Sequence, residues 1–223
     1  MTSFALKVIA CVAMFIDHIG YAIFDGSFSN FNYIGRIAFP IFAFQISEGY
    51  IHTKNLKKYL SKLFLFAIIS QVPYMLFTSI MTDVTTLNVM FTLFWGLLTI
   101  TIIDKAKNKY LAPFILLLFA LLAEALHTDY GAYGIIVIIV FYVFKKNPLL
   151  RTLAFTTVVI CHYAVEYLQH HIFAYILLGL FAISPIILIN FYNEKQGKKT
   201  KYFLYWFYPV HMLLILLLYK FVI

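Results

Sequence analysis

Charge is scarce in this chain. Asp, Glu, Lys and Arg make up 12% of its 223 residues, about half the roughly 25% of an average soluble domain. With 63% hydrophobic residues and a mean hydropathy of +0.90, that shortage excludes a soluble globular protein and points to an integral membrane one. Cysteine is nearly absent: Cys11 and Cys161 both fall inside apolar runs, which excludes a disulfide framework and a cysteine-built zinc site and leaves buried packing thiols as the expectation. There is no long polar linker and no low-complexity tract. The echo between His18-Ile19-Gly20-Tyr21 and Tyr33-Ile34-Gly35-Arg36 is too short to make an inverted-repeat transporter. The first apolar run contains Asp17 and His18 and lacks a small-residue cleavage site, so it is expected to persist as a helix.

What is present is a series of apolar segments, at about 4–24, 34–51, 59–79, 87–104, 110–126, 131–144, 150–167, 172–191 and 203–222. At about 20 residues per span they consume almost the whole length. The predicted fold is an all-α, polytopic transmembrane bundle of about nine spans, eight to ten being compatible with the pattern, in one domain over 1–223. The sixth segment is short, and His127, Thr128, Asp129 and Tyr130 interrupt it from its neighbour, so a tightly turned or re-entrant pair is expected there.

Basic residues orient the bundle. Lys7, Lys54, Lys57, Lys58, Lys62, Lys105, Lys107, Lys109, Lys145, Lys146, Arg151, Lys195, Lys198, Lys199 and Lys201 fall on one side of the nine-span scheme, fifteen of the 17 Lys and Arg; Arg36 and Lys220 fall on the other. Positive loops face the cytoplasm, so the N-terminus is expected inside and the C-terminus outside a bacterial cytoplasmic (inner) membrane. The net charge of +8 is mainly a topology signal. These loops are too short to build a nucleic-acid surface, but they can meet anionic lipid or a phosphorylated cofactor.

Acidic and histidine residues gather at the opposite side: Asp17, His18, Asp25, Gln71, Asp83, Asn88, Glu124, His127, Asp129, His162 and Glu166, with Arg36. Asp17 and His18 lie inside the first span, where a carboxylate costs roughly 2.5–3.5 kcal/mol, so they are expected to face a protein interior and carry chemistry, transport or gating. Glu124 with His127, and His162 with Glu166, are spaced to share a helix face and hydrogen-bond. Together they suggest a water-accessible cavity. No metal is expected, because the histidines lack a compact ligand motif. In span two, Arg36 must reach the interface, a carboxylate such as Asp17, or an anion, and Pro40 is expected to open the backbone at the Arg36 carbonyl. In span nine, Pro209 is expected to free the Tyr205 carbonyl, and His211 offers a second buried imidazole.

Leu6-Lys7-Val8-Ile9-Ala10 through Asp17-His18-Ile19-Gly20, then Ile34-Gly35-Arg36-Ile37-Ala38-Phe39-Pro40-Ile41-Phe42-Ala43-Phe44 and Ser47-Glu48-Gly49-Tyr50, resemble the TraX family of membrane proteins. The likeness continues through Thr53-Lys54-Asn55, Lys58-Tyr59, Ser70-Gln71-Val72-Pro73, Asn88-Val89, Phe91-Thr92-Leu93 and Asp129-Tyr130-Gly131 with Gly134, close over 4–140 and looser beyond. The founding member of that family acetylates the N-terminus of F pilin. The resemblance therefore implies acetyl-CoA as donor and an amine as acceptor, on a secreted peptide or another envelope molecule. A looser similarity links the chain to membrane acyltransferases of envelope sugars, whose first helix carries Arg, ten residues, then His. Lys7 and His18 have that spacing with Lys for Arg, and Tyr208-Pro209-Val210-His211 resembles their aromatic-Pro-x-His element.

On this resemblance His18, tuned by Asp17 or another carboxylate, deprotonates the acceptor or briefly carries the acetyl group, with Arg36 or a backbone donor on the oxyanion and His211 nearby. Lys54, Lys57 and Lys58, with Glu48, are expected at the CoA end, and Gln71, Asn88, Asp129 and Tyr130 at the acceptor. Two other readings fit the same residues. One is a proton-coupled transporter titrating at Asp17, Glu124, Asp129 and Glu166. The other is a non-catalytic subunit whose polar groups specify helix packing.

Overall fold

The computed structural model describes residues 1–24, 30–80, 86–198 and 202–222. Asp25, Asp83, Lys199 and Lys201 lie outside them. The chain forms α1 (Ser3–Ile23), α2 (Asn30–Gly35), α3 (Ala38–His52), α4 (Leu56–Thr78), α5 (Val89–Lys105), a 3-10 turn (Lys109–Leu111), α6 (Ala112–Ala125), α7 (Gly131–Val143), α8 (Pro148–His170), α9 (Ala174–Ile183), α10 (Pro185–Asn190) and α11 (Phe203–Val222). The fold is all-α. Each apolar segment in the sequence becomes a helix or a broken helix, and asparagines set several starts: Asn55, Asn88 and Asn147 cap α4, α5 and α8 through their side-chain oxygens.

Among the described residues four helices, α1, α4, α8 and α11, are long and apolar enough to cross a bilayer; the 21 residues of α1 span about 31 Å. The shorter α3, α5 and α7 sit at the centre, where Ile41, Leu97, Ile100, Ile135, Ile138 and Phe141 are fully buried. Small residues let the helices approach: Ala10 and Ala13 on α1, Ala43 on α3 and Ala67 on α4 are buried at the contacts. The outer faces are apolar too. Leu117, Leu118 and Leu121 of α6 are each more than half exposed, an arrangement that water penalises and lipid accepts.

Contacts sort the helix ends into two sets. Tyr50 at the end of α3 and Tyr142 at the end of α7 both donate to Asp104 near the end of α5, at 2.7 and 2.5 Å. Arg151 at the start of α8 donates to Asn190 at the end of α10 at 2.6 Å. The Met1 amine meets the Phe191 carbonyl, and the Ser3 amide donates to the Lys195 carbonyl. The lysine-rich connectors therefore share one end with the chain start. At the other end the Leu87 amide donates to His127 and the Asp129 amide to Leu87, at 2.9 and 2.8 Å, pinning the α6–α7 connector as a tight turn. His127 takes a left-handed φ of 47° there.

Two segments are broken. Span two divides at Arg36–Ile37, where the backbone was expected to open, and Pro40 falls in the first turn of α3, where a missing amide costs nothing. Span eight divides at Ser184, before Pro185, into α9 and α10. Conversely α11 runs through Pro209 without a break.

Candidate active site

A cavity of about 980 Å³ opens toward the α6–α7 connector and is lined by Asp17, His18 and Tyr21 of α1, Arg36 at the α2–α3 break, Asp129 and Tyr130 of the connector, and His162, Tyr163 and Glu166 of α8. The broken span explains how Arg36 arrives. Because α2 stops at Gly35, the next residue turns into the bundle beside Asp17, and Arg36 Nη2 donates to both carboxylate oxygens at 3.2 and 3.3 Å and to Tyr21 Oη at 3.2 Å. Asn32, fully buried, donates to Asp17 Oδ1 at 3.1 Å. Gly35 is required there: a Cβ would lie 2.1 Å from Asp17 Oδ1.

This corrects the expected coupling of His18 to Asp17. The Asp17 carboxylate is spent on Arg36 and Asn32, and the partner of His18 comes from the far end of the chain: His18 Nδ1 lies 2.7 Å from His211 Nε2, with ring planes 8° apart. His211 Nδ1 lies 2.8 Å from the Phe207 carbonyl. Donor arithmetic then fixes the neutral tautomers. A carbonyl only accepts, so His211 Nδ1 carries the proton; His211 Nε2 is then an acceptor, and His18 Nδ1 must donate to it. His18 Nε2 is left with the lone pair, and the hydrogen bond that the described residues give this ring is the one at Nδ1. Phe77 packs on the His18 ring at 4.9 Å and Phe207 on the His211 ring at 4.8 Å, holding the pair in place. The result is an oriented imidazole on the wall of the cavity.

A second cavity, about 500 Å³, opens at the lysine-rich end and is lined by Ser3, Lys7 and Cys11 of α1, Gln45, Glu48 and His52 of α3, and Tyr205 of α11. Met14, Phe42, Val89 and Tyr208 line both cavities. One stripe of α1, Lys7–Cys11–Met14–His18–Tyr21, thus runs from the inner cavity past this shared wall into the outer one. Lys7 and His18 are separated by about 16 Å along the helix.

A model of the TraX family, described as TraX protein, matches residues 3–219. The chain belongs to the TraX family. Among curated proteins it is similar to a probable fimbrial assembly protein FimC, serogroup H1, of Dichelobacter nodosus, at 31% identity over 96% of this chain and 94% of the relative. No solved structure matches it.

The structure brings some of the expected site residues of this TraX-family chain to the two cavities and leaves others outside them. Lys54, Lys57 and Lys58 are exposed and do not line the inner cavity; Thr53 lines it, and Asn55 accepts from the Lys58 amide. Lys7 is the lysine inside. Glu48 lines that cavity with its carboxylate 3.3 Å from His52. Gln71 and Asn88 do not line the outer cavity, where the acceptor was expected. Gln71 Oε1 accepts from Asn88 Nδ2 and Gln71 Nε2 donates to the Thr86 carbonyl, at 2.7 and 2.8 Å, while Asn88 caps α5; their polar groups clasp α4 to the start of α5. Asp129 and Tyr130 do line the outer cavity, where the Tyr130 ring stacks on Phe39 at 3.7 Å.

Both expected acid–histidine pairs are rearranged. Glu124 Oε1 accepts from the Ala132 amide at 2.7 Å, capping α7 instead of meeting His127. Gly131, at φ +45°, passes so close that a Cβ would lie 2.3 Å from that oxygen. Glu166 lies 3.7 Å from His170, and His162 stacks on Tyr133 at 4.1 Å. Cys11 is buried, but Cys161 is exposed on the outer cavity wall. Tyr21, Asn32 and Gln45 gave no sequence signal, since a lone Tyr, Asn or Gln in an apolar helix is most often interhelical glue.

Proposed function

We propose that this protein is a membrane-embedded acetyltransferase that moves an acetyl group from acetyl-CoA, admitted through the inner cavity on the cytoplasmic side, to an amine in the outer cavity. The nine-span bundle would sit in the cytoplasmic membrane with its N-terminus inside, because the basic residues gather at the end where the chain starts. The observation that carries the reading is the His18–His211–Phe207 chain: it leaves an unprotonated imidazole nitrogen beside the wall that two opposite cavities share.

In the reaction, the neutral amine attacks the thioester carbonyl, the C–N bond forms and the C–S bond breaks. His18 Nε2 takes the amine proton and returns it to the departing thiolate, giving the acetamide and free thiol. The imidazolium formed at His18 is stabilised through Nδ1–H by His211, which is itself held by the Phe207 carbonyl. Arg36 is committed to Asp17, so its role is to hold the α1–α2 corner and set the local field. An amine is favoured over a hydroxyl because Asp17, Glu124, Asp129 and Glu166 face Arg36 as the single cation among the cavity-lining Lys and Arg, and a surplus of carboxylates draws an ammonium. The fimbrial-assembly relative makes the N-terminus of a pilin-type peptide the acceptor to try first.

Purified protein in detergent is expected to release CoA from acetyl-CoA in the presence of an amine peptide and to catalyse no substrate flux in liposomes. His18→Ala is expected to lower CoA release by at least about 100-fold, the lower range for a general base. Flux without CoA release would establish the transporter instead, and full turnover by His18→Ala would remove the imidazole from the mechanism.

A further inference from the structure

Gln45, on α3, is only 8% exposed and lines the inner cavity. Its side-chain oxygen accepts from Ser3 Oγ at 2.7 Å, which fixes the amide plane, and its Nε2 has no hydrogen-bond partner among the described residues. A buried amide donor left open is costly and is normally satisfied. Here it stands on the wall of a cavity large enough for a linear chain. Ser3 and Lys7 are one turn apart on α1 and line the same wall, so a hydroxyl, an amide and an ammonium are grouped near the mouth. Along α1, Ser3 lies about 22 Å from His18. A ligand joining the two levels must be long, thin and polar at its outer part.

Resting on the acetyl-transfer reading above, we infer that Gln45, oriented by Ser3, binds the pantoyl end of the donor's pantetheine arm, the amide- and hydroxyl-bearing part farthest from the thioester. Gln45 Nε2 donates to a carbonyl or hydroxyl oxygen there, and Lys7 faces the adjoining phosphate. Gln45 is a specificity residue for the donor and takes no part in bond making. Its contribution is felt only by donors long enough to reach it.

Three donors test this with the full-length protein: acetyl-CoA, S-acetylpantetheine, and S-acetyl-N-acetylcysteamine, which ends after the amide nearest the sulfur. Gln45→Leu is expected to raise KM for the first two about tenfold, the size of one buried hydrogen bond, with kcat nearly unchanged and no change for the short donor. Ser3→Ala, a milder variant that frees the amide plane, is expected to shift the same two donors in the same direction by a smaller factor. Equal losses on all three donors in both variants would show a packing role and overturn the inference, as would no change on any. Wild-type protein that turns over none of the three would overturn the acetyl-transfer reading and this inference with it, whereas wild-type turnover without donor discrimination in the variants overturns the inference alone.

Discussion

The outer and inner cavities meet at one wall but are built from different chemistry. The outer one, about 980 Å³, is walled by ionisable side chains, several of them already paired: Arg36 with Asp17, Glu166 with His170, and Glu124 with the start of α7. The inner one, about 500 Å³, mixes neutral polar and aromatic groups with Lys7, Glu194 and the Glu48–His52 pair, and carries an unpartnered amide nitrogen at Gln45. A paired, rigid, acidic chamber suits a charged acceptor that must be held in one pose. A smaller one of mixed polar and aromatic lining, with a lysine on its wall, suits a flexible chain that slides in. The histidine pair belongs to neither set of ion pairs; its partners are the two rings themselves and the Phe207 carbonyl.

Replacing His211 breaks the comparison at its hinge. His211→Phe keeps a ring against Phe207 but removes the acceptor that fixes the His18 tautomer; turnover is expected to fall on the order of 10²–10⁴-fold, as in enzymes whose catalytic imidazole loses its orienting partner, with little change in KM for either substrate. Steady-state CoA release reads it. Next in size is the outer chamber's ion pair. Asp17→Asn leaves Arg36 buried without its counter-charge, and thermal unfolding in detergent is expected to show a loss of about 3–5 kcal/mol, the side chains being only 11% and 18% exposed. The inner rim should be the least sensitive. Changing Lys54, Lys57 and Lys58 together to Ala is expected to raise KM for acetyl-CoA by less than about threefold at physiological salt, because exposed charges are screened. A larger rise would place those lysines on the donor and contradict their position outside the cavity.

Much of the architecture was legible in the sequence because bilayer-length apolar runs and basic joints are local signals. Helices appear at every expected segment, and the basic connectors share one end. What escaped depends on contacts between distant residues. Pro40 signalled the opening at Arg36, but the docking of α2 on Asp17 through Gly35 is a contact that no window of sequence reveals. His18 and His211 were each conspicuous as buried imidazoles, yet they are 193 residues apart, so the adjacent carboxylate looked like the partner. Helical spacing misassigned Glu124 and Glu166 for a related reason: the first lies at a helix end, where backbone amides compete for the carboxylate, and the second has His170 as well as His162 four residues away. Gln45 was invisible because its meaning lies in a missing partner, which only coordinates display.

In the proposed reaction one imidazole serves two chambers reached from opposite faces of the membrane. Sealed vesicles of one orientation separate the two faces, with radiolabelled acetyl-CoA confined to the side of the lysine-rich connectors and a membrane-impermeant amine peptide on the other. We expect labelled peptide to accumulate across the membrane with wild-type protein and not with His18→Ala. Labelling that requires both substrates on the same side would contradict the claim.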